Sequence, residues 1–229
     1  MSKKASKAEE RVEGVEHALT SAEQFLETYQ KPIVITIGAL VGVVVLYMAF
    51  HYFFVTQKTD EAAAQMFPAE QYFEKESWDL ALDGDGNNLG FIDIIGEYGF
   101  TPSANLARYY AGMCYWNQGQ YDDAIKYLKK FKSKDKVLSN LALGTMGDAY
   151  AEQGETDKAI SQYIKAADHN KNDFTSPLYL LRAGILYEKV NKNDDALKIY
   201  SRIKKEYSAS TEGRSIDKYI SRVTVKIGK

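Results

Sequence analysis

From Ile33 to Val55 the chain reads IVITIGALVGVVVLYMAFHYFFV, with no formal charge, and beyond Lys58 apolar residues return at helical spacing to the end. As a helix at about 1.5 Å per residue, the uncharged run extends roughly 34 Å, enough for a ~30 Å hydrocarbon core. Tyr47, Tyr52, Phe53 and Phe54 gather toward one end of it, as an interfacial aromatic belt does, and His51 sits among them. The run begins too late, is too long and lacks the small-residue cleavage site of a signal peptide. The pattern predicts a single membrane-spanning helix over residues 32–56 of a chain that is helical throughout. In the tail before it, residues 1–31, Val12, Val15, Leu19, Ala22, Phe25 and Leu26 fall near a 3.6 period. That predicts a short amphipathic helix, lying on the membrane or a partner, or simply a solvated lead-in.

After the span the chain repeats itself. GMCYWNQGQYDDAIKYL from Gly112, GDAYAEQGETDKAISQY from Gly147 and GILYEKVNKNDDALKIY from Gly184 align without gaps. Each glycine precedes a tyrosine by three (Tyr115, Tyr150, Tyr187) and an alanine by twelve (Ala124, Ala159, Ala196). Leu128, Tyr163 and Tyr200 follow four residues later, and the glycine spacing is 35, then 37. This is similar to the tetratricopeptide repeat, a helix–turn–helix unit of 34 residues. Small residues let the two helices of a hairpin approach, and the aromatic fills the space between units. Gly119 and Gly154 are placed for the hairpin turn, with Asn191 serving in the third copy. Thr101–Pro102 and Ser176–Pro177 are expected to cap the first and third units.

A fourth, degenerate copy lies upstream, where Tyr72, Trp78 and Ala81 align with Tyr115, Tyr121 and Ala124. It is too long because DGDGNNLGF, Asp83–Phe91, interrupts its second helix. That stretch resembles a calcium loop, but its sixth and twelfth positions are Asn88 and Ile94, where such a loop needs glycine and glutamate. It reads instead as a turn, with Asn87 or Asn88 capping a short helix from Phe91 to Tyr98. The fold expected is all-α: one transmembrane helix, then a helical-hairpin solenoid over 57–229. Its units fall at 60–100, 104–138, 139–172 and 176–208, closed by a capping helix over 210–227 whose Ile216, Tyr219, Ile220 and Val223 face inward.

Charge and chemistry change this picture little. The formal net charge is −2 and no basic face is evident, which argues against nucleic acid. His17, His51 and His169 lie too far apart in sequence to form a ligand set, and no nucleophile elbow, phosphate loop or zinc motif occurs. Cys114, the one cysteine, lies on a packed helix and reads as a buried thiol. No catalytic residue, metal or cofactor is expected, and the chain is not read as an enzyme.

A solenoid of this kind offers a concave groove lined by the first helix of each hairpin. The groove positions of the repeat family fall here on Met66, Phe73, Tyr109, Met113, Trp116 and Asn117. Further along they fall on Asp148, Leu181 and Ile185, with Glu152 and Glu188 beside them. The set suits a hydrophobic peptide or partner helix.

The lead-in VEGVEHALTSAEQFLETYQKP before the span, followed at once by the array, resembles the YfgM-like family. Its members are ancillary subunits of the SecYEG translocon in the bacterial inner membrane, with a periplasmic tetratricopeptide domain. The resemblance implies a cytoplasmic N-terminus and a periplasmic C-terminal domain. As partners it implies the translocon and a membrane-anchored periplasmic chaperone or isomerase, with polypeptide segments in the groove. An adaptor of another envelope complex, in outer-membrane assembly or division, is the alternative. Lys31 and Lys58 flank the span one to a side, so charge asymmetry does little to orient it.

Overall fold

A computed structural model describes residue 20 and residues 29–228. The amphipathic segment expected between Val12 and Leu26 lies outside these, apart from Thr20. The chain forms two compact units, Met1–Gln57 and Lys58–Lys229.

In the first unit, helix α1 (29–50) runs into a π-helical stretch, His51–Thr56. Its apolar window has a mean hydropathy of 2.6, with none of it buried, so the helix is long and apolar enough to cross a membrane. Thr36 turns its hydroxyl back on the Pro32 carbonyl at 2.7 Å, satisfying the one threonine hydroxyl of the run.

In the second unit every described element is a helix: α2 (Gln57–Glu74), α3 (Trp78–Asp83), α4 (Phe91–Glu97), α5 (Pro102–Asn117) and α6 (Tyr121–Lys130). There follow α7 (Lys136–Glu152), α8 (Thr156–His169), α9 (Thr175–Lys189), α10 (Asn193–Glu206), α11 (Thr211–Ser215) and α12 (Asp217–Ile227). From α5 to α10 each helix packs on the next in chain order, so the array is built from antiparallel hairpins.

The same turn closes all four hairpins. Glu76, Gly119, Gly154 and Asn191 take left-handed φ values of 56°, 74°, 77° and 60°. In each case the next residue's amide returns to the tyrosine carbonyl five residues back: Ser77 to Tyr72, Gln120 to Tyr115, Glu155 to Tyr150 and Lys192 to Tyr187, all at 2.8–2.9 Å. This is the bond pattern that ends a helix on a left-handed residue. The upstream copy therefore makes the same turn as the clear ones, with a glutamate where they use glycine or asparagine.

Inside each clear hairpin the repeat glycine receives the second helix. A Cβ on Gly112 would lie 2.5 Å from Leu128, on Gly147 2.6 Å from Tyr163, and on Gly184 2.3 Å from Tyr200. Between hairpins, the Tyr179 ring fills the notch left by Gly144 and stacks on Tyr163 at 6.0 Å. The upstream end has its own core, in which Phe91 stacks on Tyr110 at 5.1 Å above buried Ala81, Ile94 and Ala107.

Two N-cap expectations need correction, while Thr101 does accept the Ala104 amide as expected. Ser176 does not cap α9: the helix starts at Thr175, and the Asn172 carboxamide accepts the amides of Phe174 and Thr175. The Ser176 hydroxyl instead reaches the Ala167 carbonyl, tying α9 to α8. Neither Asn87 nor Asn88 caps α4, whose N-cap is Gly90. Both asparagine amides donate to Asp85, which also takes the Tyr72 hydroxyl at 2.7 Å, and these bonds hold its carboxyl well below the usual range. The terminal helix is broken into α11 and α12, with Ser210 capping the first.

Candidate peptide groove

The first helices of the hairpins, α2, α5, α7 and α9, carry the expected groove residues, and the structure separates them into three groups. Met66 is 5% exposed beside Ala62 and Ala69 and belongs to the packed upstream core rather than to the groove. Phe73 is half-buried against Trp78, Phe91 and Tyr110, with ring centroids 5.0–6.4 Å apart. Both were read as groove positions because the helical period marks a buried face and a ligand face alike.

On α5, Tyr109 lies half-buried against Phe131, 5.3 Å away, and backs a small core of Leu128, Ala142 and Met146. One turn on, the Met113 sulfur accepts the Thr145 hydroxyl at 3.6 Å, joining α5 to α7. Trp116 is half-buried, and its indole N–H has no partner among the described residues. Asn117 is exposed and turns its amide onto the Met113 carbonyl at 2.8 Å.

Between α7 and α9 the groove carries a polar pair beside apolar residues. Asp148 accepts the Tyr163 hydroxyl at 2.6 Å and pairs with Arg182, which lies 5.6 Å from the centre of the Tyr179 ring. Burial, and then the bond to Asp148, push the Tyr163 phenol well above its ordinary range. Leu181 is half-buried, and Ile185 is 41% exposed.

Glu188, one turn past Ile185, serves the far end of the array rather than the groove. Its buried carboxylate takes the Tyr200 hydroxyl at 2.7 Å, Arg222 at 2.6 and 3.0 Å, and Lys226 at 3.1 Å. Burial alone would push this carboxyl up, but the bonds from Arg222, Tyr200 and Lys226 outweigh it and hold the pKa down at about 2. The pairing fastens α12 to the last hairpin.

Sequence reasoning also missed a pair of latches. Asn105 donates to the Lys132 carbonyl at 2.7 Å and accepts the Lys132 amide at 3.1 Å, pinning the loop that leaves α6. Asn140 donates to the Asn170 carbonyl at 2.8 Å at the loop leaving α8. Both asparagines stand seven residues before a repeat glycine, 35 apart, so the repeat alignment itself carried the signal.

Two family models, each described as tetratricopeptide repeat, match residues 106–135 and 145–211. The array is a tetratricopeptide-type solenoid. Solved structures match it in fold, among them a Podospora anserina crystal structure whose title reads "putative kinesin light chain nearly identical TPR-like repeats". That likeness has a TM-score of 0.51 at 12% identity and covers 73% of this chain and 87% of the other. No curated protein matches the sequence. Tetratricopeptide repeats make the domain a scaffold for protein–protein contact, and such domains bind polypeptide partners.

Proposed function

We propose that the chain is a single-pass membrane scaffold whose array holds polypeptide segments beside a secretion channel. The observation that carries this reading is an apolar, unburied helix that precedes a tetratricopeptide array in the same chain. The groove supports it: Met113, Trp116, Leu181 and Ile185 offer apolar contact, and the Asp148–Arg182 pair offers a polar end. A hydrophobic segment emerging from a membrane channel matches that mixture. On this reading the tail is cytoplasmic, the array periplasmic, and the membrane a bacterial inner membrane. The partners are a SecYEG-type channel and a membrane-anchored periplasmic chaperone or isomerase.

Affinity isolation of the full chain in mild detergent, followed by mass spectrometry, tests the proposal. Recovery of channel subunits together with an envelope chaperone supports it. Recovery of outer-membrane assembly or division components without the channel would replace it with the adaptor role. Protease treatment of spheroplasts tests the orientation separately, because only a periplasmic array is digested.

A further inference from the structure

A concavity of about 290 Å³ opens where the end of α6, the first half of α7 and the end of α8 meet. Its floor is apolar, formed by Leu128, Phe131, Ala142 and Met146, and its rim is Lys129, Lys132 and Lys165, with His169 beside them. No acidic side chain lines it. Among the described residues the three lysines form no ion pair. The nearest carboxylates along the chain are committed elsewhere: Asp168 pairs with Arg202, and Asp135 accepts the amides of Val137 and Leu138 to cap α7. Beyond Lys129 and Lys132 a shallower tract continues over Arg108, Lys126 and Lys130, where Asp122 is the one acid in the lining and Lys126 pairs with Asp123. A chain of net charge −2 thus gathers unpaired cations around one apolar depression.

The wall is fixed rather than loose, because Asn105 holds both the amide and the carbonyl of Lys132. The depression is slightly smaller than a typical small-molecule pocket of roughly 300–1,000 Å³, so it has room for one or two side chains. Its apolar part is recessed behind the lysine heads, whereas a bilayer surface is met by an apolar face that protrudes.

We propose that this basic-rimmed depression docks an acidic segment of a partner protein, which seats one aromatic or aliphatic side chain among Leu128, Phe131 and Met146. Carboxylates on either side of that residue meet Lys129, Lys132 and Lys165, and the rest of the segment follows the basic tract. This contact uses none of the residues assigned to the groove and does not depend on the role proposed for it.

The test is selection from a random short-peptide library on the full chain in nanodiscs of zwitterionic lipid, with fluorescence anisotropy on the enriched peptides. Enriched sequences are expected to carry Asp or Glu on both sides of an aromatic or aliphatic residue. Their affinity should fall when salt rises from about 0.05 M to about 0.5 M, where screening shortens severalfold in range. Lys129→Glu with Lys165→Glu, both exposed and leaving the helical circular dichroism unchanged, should weaken binding at least about tenfold. Val225→Ala, at an exposed position on α12 outside both sites, should leave it unaltered. The proposal fails if no acidic sequence is enriched, or if the lysine reversals leave the affinity intact. It also fails if the chain binds vesicles of phosphatidylcholine and phosphatidylglycerol through these lysines but binds no acidic peptide.

Discussion

Gly147 and Tyr163 face each other across the second hairpin so closely that a Cβ on the glycine would lie 2.6 Å from two ring carbons. The ring has nowhere to retreat, because its hydroxyl is tied to Asp148 and its other face stacks on Tyr179. Gly147→Ala should therefore destabilise the array by about 2–3 kcal/mol, the upper end of the overpacking range. At Gly119 a Cβ would meet nothing within 4 Å, and only the φ of 74° opposes it, so Gly119→Ala should cost about 1 kcal/mol. Urea denaturation followed by circular dichroism distinguishes the two, and equal costs would contradict this packing.

Glu76 occupies the left-handed turn position that Gly119 and Gly154 fill elsewhere. Replacing it with glycine removes a Cβ from an unfavourable backbone region at an exposed site. Glu76→Gly should stabilise the array by about 0.5–1 kcal/mol despite the added freedom of the unfolded chain. A loss of stability in the same denaturation would mean that this turn is not equivalent to the others.

The Glu188 carboxyl has a folded pKa of about 2, depressed from an ordinary 4.5 by Arg222, Tyr200 and Lys226 against the opposing effect of burial. A depressed carboxyl contributes stability that is full above its unfolded value and is lost as pH falls through its folded one. The attachment of α12 should therefore weaken between pH 4.5 and about 2. Glu188→Gln should remove that dependence and lower stability at neutral pH by about 1–3 kcal/mol, through lost charge-assisted hydrogen bonds. Denaturation midpoints across that pH window, for both proteins, provide the check.

Cys114 is fully buried on α5, and burial pushes its thiol pKa up to about 12. The thiolate is the reactive form, so maleimide labelling at neutral pH should be very slow on the folded protein and fast in denaturant. Rapid labelling of the native chain would show that the upstream hairpins open readily.

The repeat was legible because its geometry demands small residues at fixed intervals: Gly112, Gly147 and Gly184 each sit under a named side chain of the second helix. The hairpin turns at Gly119 and Gly154 were legible for a different reason, the left-handed backbone that favours glycine, and Asn191 followed from them. The groove was less so. Met66 belongs to the core because a helical period cannot say which of two neighbouring faces is covered. The engagement of Asp148 by Arg182 joins residues 34 apart on different hairpins, and no local pattern announces it. The lysine-rimmed depression was missed because Lys129 and Lys132 look like a solvated run until α8 brings Lys165 to the same rim.

The central claim is that the array holds polypeptides while anchored in a membrane. A photoreactive phenylalanine analogue in place of Trp116, irradiated in intact cells, tests it most directly, with Val225 on α12, 78% exposed, as the control position. The account predicts adducts between Trp116-substituted protein and secretory chains in transit, and none from the Val225 position. Absence of polypeptide adducts at Trp116, or equal yields from both positions, would contradict it.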